Sequence, residues 1–335
     1  VITLGFSTGE KELTAFPFKI RPFTTDDYPS VVAVHNAVQP DFATTVEEWK
    51  FRDSTRDPKI RWARFLAEDT PTGEIVGYGG YGQQSDMWHP QKFSVNADVL
   101  ESHRGRGVGS ALHETVISAL EEYNPIQLRA HAQECKPEGL RFLTKRGFTE
   151  EFRDWESRLA VPAFDFAPFA EAEKRVADAG ITIKPLSELM ISTPDWKERY
   201  YDIEWAIVQD MPAPDTLTQF SYENFLLSTL NNPNFAPEAI QIALDGDYWV
   251  GESALWKNQA DNKLMQGGTG VRREYRRKGI ALAMKLRGVA YAQSVGAPEI
   301  KTFNDQTNRA MLLINEALGF VKQPAWIGFV KTLAE

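Results

Sequence analysis

Two short stretches combine arginine and glycine at a spacing suited to holding an anion. Arg104-Gly105-Arg106-Gly107-Val108-Gly109-Ser110 follows Phe93–Val99, where apolar and polar residues alternate as in a half-buried strand, and precedes Leu112, Val116 and Leu120 at helical spacing. Arg276-Arg277-Lys278-Gly279-Ile280-Ala281 follows Met265–Val271 and precedes Leu282, Leu286 and Val289 in the same way. A tight strand-to-helix turn leaves the first backbone N–H groups unpaired at the positive end of the helix dipole, which favours a phosphate or pyrophosphate. Glycine lets the anion approach the main chain closely. Ala281 keeps most of that access, and Arg104 and Arg276 add charge in a forked geometry. A dinucleotide fingerprint needs G-x-G-x-x-G, which neither stretch has. A plain turn would account for one such loop, but two in matching places call for a shared cause.

The second stretch repeats the first at a fixed interval. Arg104 and Arg276 stand 172 positions apart, as do Gly107 and Gly279, Pro40 and Pro212, and the glycines of Arg146-Gly147-Phe148 and Leu318-Gly319-Phe320. A constant offset over that span means that the intervening elements have nearly equal lengths, so the chain reads as a duplicated domain. Each copy opens with a short strand (Phe18–Arg21; Ile181–Lys184) and a helical stretch (Tyr28–Val38; Trp196–Gln209), followed by strands such as Glu74–Gly82 and Asp245–Trp256. Strand, glycine loop, helix, strand and helix follow. The expected division is an extension over 1–17, a first domain over 18–160, a connector with a helix over 161–180, and a second domain over 181–335.

The 335 residues suit two domains, and 42% hydrophobic with 25% charged residues is ordinary for a soluble protein. The net charge of −9 argues against a nucleic-acid surface, so the Arg-Gly-Arg-Gly run is not read as a nucleic-acid tail. One cysteine, Cys135, excludes a disulfide framework and multi-cysteine metal sites, and the histidines lack metal-ligand spacing. No apolar run is long enough for a membrane span, and the first 18 residues lack a signal-peptide pattern. A cytoplasmic protein, monomer or homodimer, with no metal, membrane or nucleic-acid partner is expected.

Both halves resemble Gcn5-related N-acetyltransferase (GNAT) domains, whose signature is Arg/Gln-x-x-Gly-x-Gly/Ala opening a helix. The stretch Thr302–Phe320, with Asn304, Asn308 and Leu-Gly-Phe, is similar to the family's downstream region. The resemblance runs from about Phe18 to the C-terminus, apart from the connector. It implies an α+β fold of two tandem domains, each a mixed, mostly antiparallel sheet flanked by helices. It also implies an acyltransferase that moves an acetyl group from acetyl-CoA onto the primary amine of a small molecule. The loop amides would hold the CoA pyrophosphate. The strand ending at Val99 or Val271 would splay from its neighbour and offer backbone groups to the acetyl-pantetheine arm, with Asn304 and Asn308 on the cofactor side.

Attack of an amine on a thioester needs a base for the amine proton and a polarised carbonyl. Glu252 and Asp210 are the candidate bases. Family members often carry a tyrosine four residues before the glycine of Leu-Gly-Phe, a position held here by Leu143 and Asn315. Asn315 can donate a hydrogen bond but is no acid. In the repeat register Asn304, Asn308 and Asn315 face Ala132, Lys136 and Leu143, so the second domain retains more polar groups and is expected to be catalytic. A non-catalytic acyl-CoA-binding or sensing protein is the alternative. His131 and Cys135 read as a packed histidine and an ordinary thiol.

Overall fold

The computed structural model describes residues 17–334; the extension expected over 1–17 lies almost wholly outside them. In the first half, β1 (Phe18–Pro22) leads into α1 (Tyr28–Val38) and α2 (Val46–Ser54). Asp27 precedes α1, with Pro29 in its first turn. Thr45 and Glu48 close a reciprocal capping box on α2. The strands β2 (Trp62–Asp69), β3 (Ile75–Gly82) and β4 (Lys92–Val99) form an antiparallel meander. The glycine loop then enters α3 (Val108–Leu120), followed by β5 (Gln127–Gln133), α4 (Pro137–Thr144) and β6 (Thr149–Ala160).

After the connector helix α5 (Ala172–Asp178), the second half repeats the order. It comprises β7 (Ile181–Pro185), α6 (Leu186–Ser192), α7 (Trp196–Val208), the short α8 (Tyr222–Phe225), β8 (Ile240–Asp245), β9 (Tyr248–Trp256) and β10 (Leu264–Val271). It ends with α9 (Ile280–Ser294), β11 (Glu299–Asp305), α10 (Arg309–Ala317), β12 (Val321–Lys322) and β13 (Trp326–Thr332). Gly180, with φ +79°, follows α5 as a left-handed stop.

In both halves the strand before the glycine loop pairs in parallel with the strand after the next helix, β4 with β5 and β10 with β11; every other pairing is antiparallel. The two sheets fuse into one, ordered β1-β2-β3-β4-β5-β13-β6-β11-β10-β9-β8-β7. The last strands are exchanged. β13, from the end of the chain, lies beside β5 of the first half, and β6, from the first half, lies beside β11 of the second. The expected boundary at 160/181 therefore divides the sequence but not the sheet. Twelve-residue β6 binds both β13 and β11 and sews the halves together.

Each half has apolar clusters on both faces of the sheet. In the first, Val31, Val34 and Trp49 pack on Leu66 and Tyr78 from the α1 side, while Val108 and Leu112 of α3 pack on Ala67 and Val76 from the other. The glycine loop and the splayed strands lie between these layers.

Candidate active site

β4 and β5 are paired only at Lys92, Phe93 and Ser94. Beyond Ser94 they diverge, leaving the edge Val95–Val99 without a β5 partner, as the resemblance implied. At the end of β4 the Arg104 Nε donates to the Val99 carbonyl at 3.1 Å, which anchors the loop. Gly105 and Gly107 take φ +73° and +88°, where L side chains are strained, and a Cβ at either would meet nothing within 4 Å. α3 starts without a side-chain cap, and the first helical bond is Ala111 N–H to the Gly107 carbonyl at 3.0 Å. The amides of Val108, Gly109 and Ser110 therefore have no partner within the helix and lie at the positive end of its dipole. Arg146 lies over the Phe142 ring at 3.6 Å and donates to Ser110 Oγ at 2.8 Å, bringing a second guanidinium to the loop. Arg106 is exposed beside it.

A cleft of about 980 Å³ runs from this loop along the free edge of β4, bordered by Val99, Arg104, Gly105, Gly107, Gly109 and Ser110. Its far side is built on the α1 face by Asp98 and by the cross-strand rows Arg64–Gly80–Asn96 and Trp62–Gly82–Ser94, with Leu66 and Tyr78 buried behind Asp98. Gly80 and Gly82 form a floor without side chains. At one end Asp98 lies beside the Tyr78 hydroxyl, which is 3.0 Å from His35 Nδ1; His35 Nε2 is 3.1 Å from the Phe42 carbonyl. Burial raises the Tyr78 pKa, with the Asp98 charge adding to it, and burial lowers that of His35. The carbonyl of Phe42 only accepts, so a neutral His35 carries its proton on Nε2 and accepts on Nδ1. The one hydroxyl proton of Tyr78 then faces two acceptors, Nδ1 and the Asp98 carboxylate. The chain is one proton short of saturation, which makes it a proton acceptor.

The C-terminal half contributes to this cleft. Trp326, at the start of exchanged β13, lines it and meets Phe42 at 5.6 Å between ring centroids. His131, read from sequence as a packed histidine, faces the cleft from β5; burial, then nearby Arg129, lowers its pKa. Leu143 also lines the cleft, and Cys135 is exposed and free.

The second loop has the same backbone and different surroundings. Arg276 Nε donates to the Val271 carbonyl at 3.0 Å, Gly279 has φ +82°, and Arg277 takes the left-handed conformation held by Gly105 in the first half. β10 and β11 also part after two paired residues. Here, however, Asp210 binds both Arg273 and Arg276, and these partners hold its carboxyl below its ordinary pKa. It serves as an internal anion rather than the candidate base. A Cβ on Gly279 would meet Arg175 and Val176 of α5 at 3.9 and 4.0 Å. Lys278 lies over Tyr275, Ile280 is buried, and Ala281 packs against the cluster that contains Val176.

The groove beyond is filled from within. Gln266 accepts from a fully buried Lys285 at 3.1 Å, and Asn315 donates to Asn304 at 2.7 Å. Asn308 caps α10 by accepting from the Met311 amide at 3.3 Å. Glu252 is buried and accepts from Tyr200 Oη at 3.2 Å, and burial with neighbouring Glu204 pushes its pKa well up, so it is sequestered rather than an accessible base. Where the first half carries Asp98, the second has Gly270; a Cβ there would stand 2.5 Å from Ile207 of α7. Asn315 is buried, at 1% exposure.

Sequence reasoning missed Asp98, Tyr78, His35 and Arg146. The polar residues Ser94, Asn96 and Asp98 in the alternation of β4 mark one face of that strand, and this was the available signal for Asp98. Among the described residues no group of three or more His, Cys, Asp or Glu is placed to hold a metal ion, and no helix is long and apolar enough to cross a membrane.

Residues 61–150 match the family model of the acetyltransferase (GNAT) domain, a segment containing β4, the first glycine loop and Asp98. No curated protein matches the sequence. Among solved structures, the chain is similar to a GCN5-related N-acetyltransferase from Sphaerobacter thermophilus, with TM-score 0.68 and 18% identity over 95% of this chain and 96% of that one. It is also similar to a tandem GNAT protein from the clavulanic acid biosynthesis pathway, with TM-score 0.71 and 16% identity over 94% and 98% of the two chains. A putative acetyltransferase from Pyrococcus horikoshii aligns over 97% of this chain and 92% of its own at TM-score 0.55 and 13% identity. A GNAT domain implies acyl transfer dependent on acetyl-CoA. The open glycine loop, the splayed strands and the duplicated order thus converge on one assignment: the chain carries a GNAT acetyltransferase domain in its first half and has, over nearly its whole length, the fold of tandem GNAT proteins.

Proposed function

We propose that this protein is an N-acetyltransferase that acetylates the primary amine of a small molecule, and that its N-terminal half does the chemistry. The observation that carries the reading is the cleft that joins the unpaired amides at the start of α3, the free edge of β4 and the Asp98–Tyr78–His35 chain. In the C-terminal half Asp210 pairs with Arg276, and Ile207 of α7 stands where a side chain at position 270 would point, so the reading places the chemistry in the other half.

The N-terminal residues fit acetyl-CoA: open space at Gly105 and Gly107, unpaired helix amides, and Arg104 and Arg146 for phosphate oxygens. Bound acetyl-CoA supplies the activated acyl group as a thioester. The free backbone of Val95–Val99 orients the pantetheine arm along β4, and its N–H groups polarise the thioester carbonyl. Asp98 accepts the proton that the amine loses on attack, and Tyr78 and His35 spread the added proton over the chain. Leu143 leaves no acid at the position where tyrosine is often found, so water protonates the departing thiolate, already a fair leaving group with a pKa near ~8.5. Thiol release from acetyl-CoA across an amine panel tests the activity. Calorimetry with CoA tests the site: one CoA per chain is expected, abolished by Gly107→Asp. CoA binding without thiol release for any amine would favour the acyl-CoA-binding alternative.

A further inference from the structure

A second chamber of about 410 Å³ lies between α2 of the first half and the 220–234 segment of the second. Arg56 borders both this chamber and the acetyl-transfer cleft. Three guanidinium groups gather here around one buried carboxylate. Asp53 binds Arg56 at 3.0 Å and Arg64 at 3.1 Å, and Arg52 lies nearby on the Trp49 ring. Arg52 has its pKa lowered first by burial and then, against the pull of Asp53, by its like-charged neighbours. The group thus holds an excess of positive charge within a chain of net charge −9.

Two polar atoms on facing walls of the chamber are buried without a partner: Arg56 Nε, a donor, and Asn234 Oδ1, an acceptor from the 220–234 segment. Such atoms cost free energy until something pairs with them. The acidic residues bordering the chamber are Glu48 and Asp57. Glu48 is held by the Thr45 amide, Thr44 Oγ1 and Asn234 Nδ2, and Asp57 by Lys59. The segment opposite α2 includes a π-helical turn, Leu226–Leu230, a distortion that is frequent at functional sites.

Resting on the acetyltransferase reading, we infer that the chamber receives the distal end of the acceptor, and that this end is an amino-acid head group. Its carboxylate pairs with Arg56 and Arg52, and its ammonium donates to Asn234 Oδ1. The reactive amine sits at the other end of the molecule, beside Asp98. Four strand steps along β3 separate the Tyr78–Asp98 row from Gly82, which has Arg56 Nη1 4.0 Å from its Cβ position, so Asp98 and the Arg56 guanidinium at the mouth of the chamber are about 13 Å apart. Subtracting one hydrogen-bond length of about 3 Å at each end leaves about 7 Å, the span of a diamino acid of lysine length.

The test uses product analogues, so that it does not depend on turnover. The CoA-loaded protein is titrated calorimetrically with Nε-acetyl-lysine and with N-pentylacetamide, which lacks the head group. At least tenfold tighter binding of Nε-acetyl-lysine is expected. Arg56→Gln should abolish that preference, Arg56→Lys should keep part of it, and Asn234→Leu should weaken it from the opposite wall. Arg64 still pairs with Asp53 in the Arg56 variants, and unchanged CoA binding verifies their fold. Equal binding of the two probes, or a preference untouched by Arg56→Gln, overturns the inference. Failure of the wild-type chain to load CoA overturns the acetyltransferase reading instead.

Discussion

The two glycine loops share a backbone and differ in what lies against them. Both arginines anchor to the last carbonyl of the preceding strand, and both helices begin after a glycine in the left-handed region. Around the first loop there is space, and the row of Tyr78 and Asp98 faces it. Around the second, Asp210 pairs with Arg273 and Arg276, and Ile207 fills the place of a side chain at position 270. A motif therefore records the capacity to bind an anion, while neighbouring elements determine whether that capacity is exposed. The C-terminal half gives instead strand β13 and Trp326, which complete the other half's cleft.

The strongest way to break this comparison is to place the same charge in both loops. Gly107→Asp should weaken CoA binding by about 100-fold or more, because a carboxylate near the pyrophosphate is repelled by several kcal/mol at an effective dielectric constant of ~20. Gly279→Asp should leave CoA affinity unchanged in the same calorimetric titration. Both glycines have φ near +85°, so backbone strain is matched between the variants. The reverse outcome would restore the C-terminal half as the binding site.

Removing the two carboxyls is the next contrast. Asp98→Asn should lower kcat by about 100-fold with CoA affinity intact, the usual scale for losing a general base. Glu252→Gln should change kcat by less than about twofold, because a sequestered carboxyl is replaced by an amide of similar shape. Single-turnover thiol release distinguishes the two once an acceptor is known.

Trp326→Leu asks whether the exchanged strand serves the first half. It should raise the acceptor KM by about tenfold, the scale of one buried aromatic contact, while CoA affinity stays constant. An unchanged KM would reduce β13 to a purely structural strand.

The smallest effect concerns the filled groove. Burial lowers the Lys285 pKa to about 7. Between that value and the unfolded value of ~10.4 the unfolded chain binds more protons, so stability should rise with pH across this window. Lys285→Met should flatten that rise and raise Tm by a few degrees at pH 7, read by thermal denaturation in parallel buffers. Activity should not change.

Much of this architecture follows from local rules and was legible in the chain. The constant spacing revealed the duplication, alternation marked β4, and a glycine between strand and apolar helical periodicity marked each anion loop. These features rest on residues adjacent in sequence, whose backbone conformations and orphan amides are set within one or two turns. Which loop is open was not legible. Counting polar groups at Asn304, Asn308 and Asn315 favoured the second half, but Asn315 is buried and donates to Asn304, and Asn308 caps a helix. The different surroundings of the two loops depend on Asp210 and Ile207, residues far from the second loop in sequence. The exchange of β6 and β13 is equally non-local: either strand could pair with its own half, and only the assembled sheet shows which edge each one covers. Local backbone geometry fixed where an anion can be held. Long-range packing fixed where there is room for one.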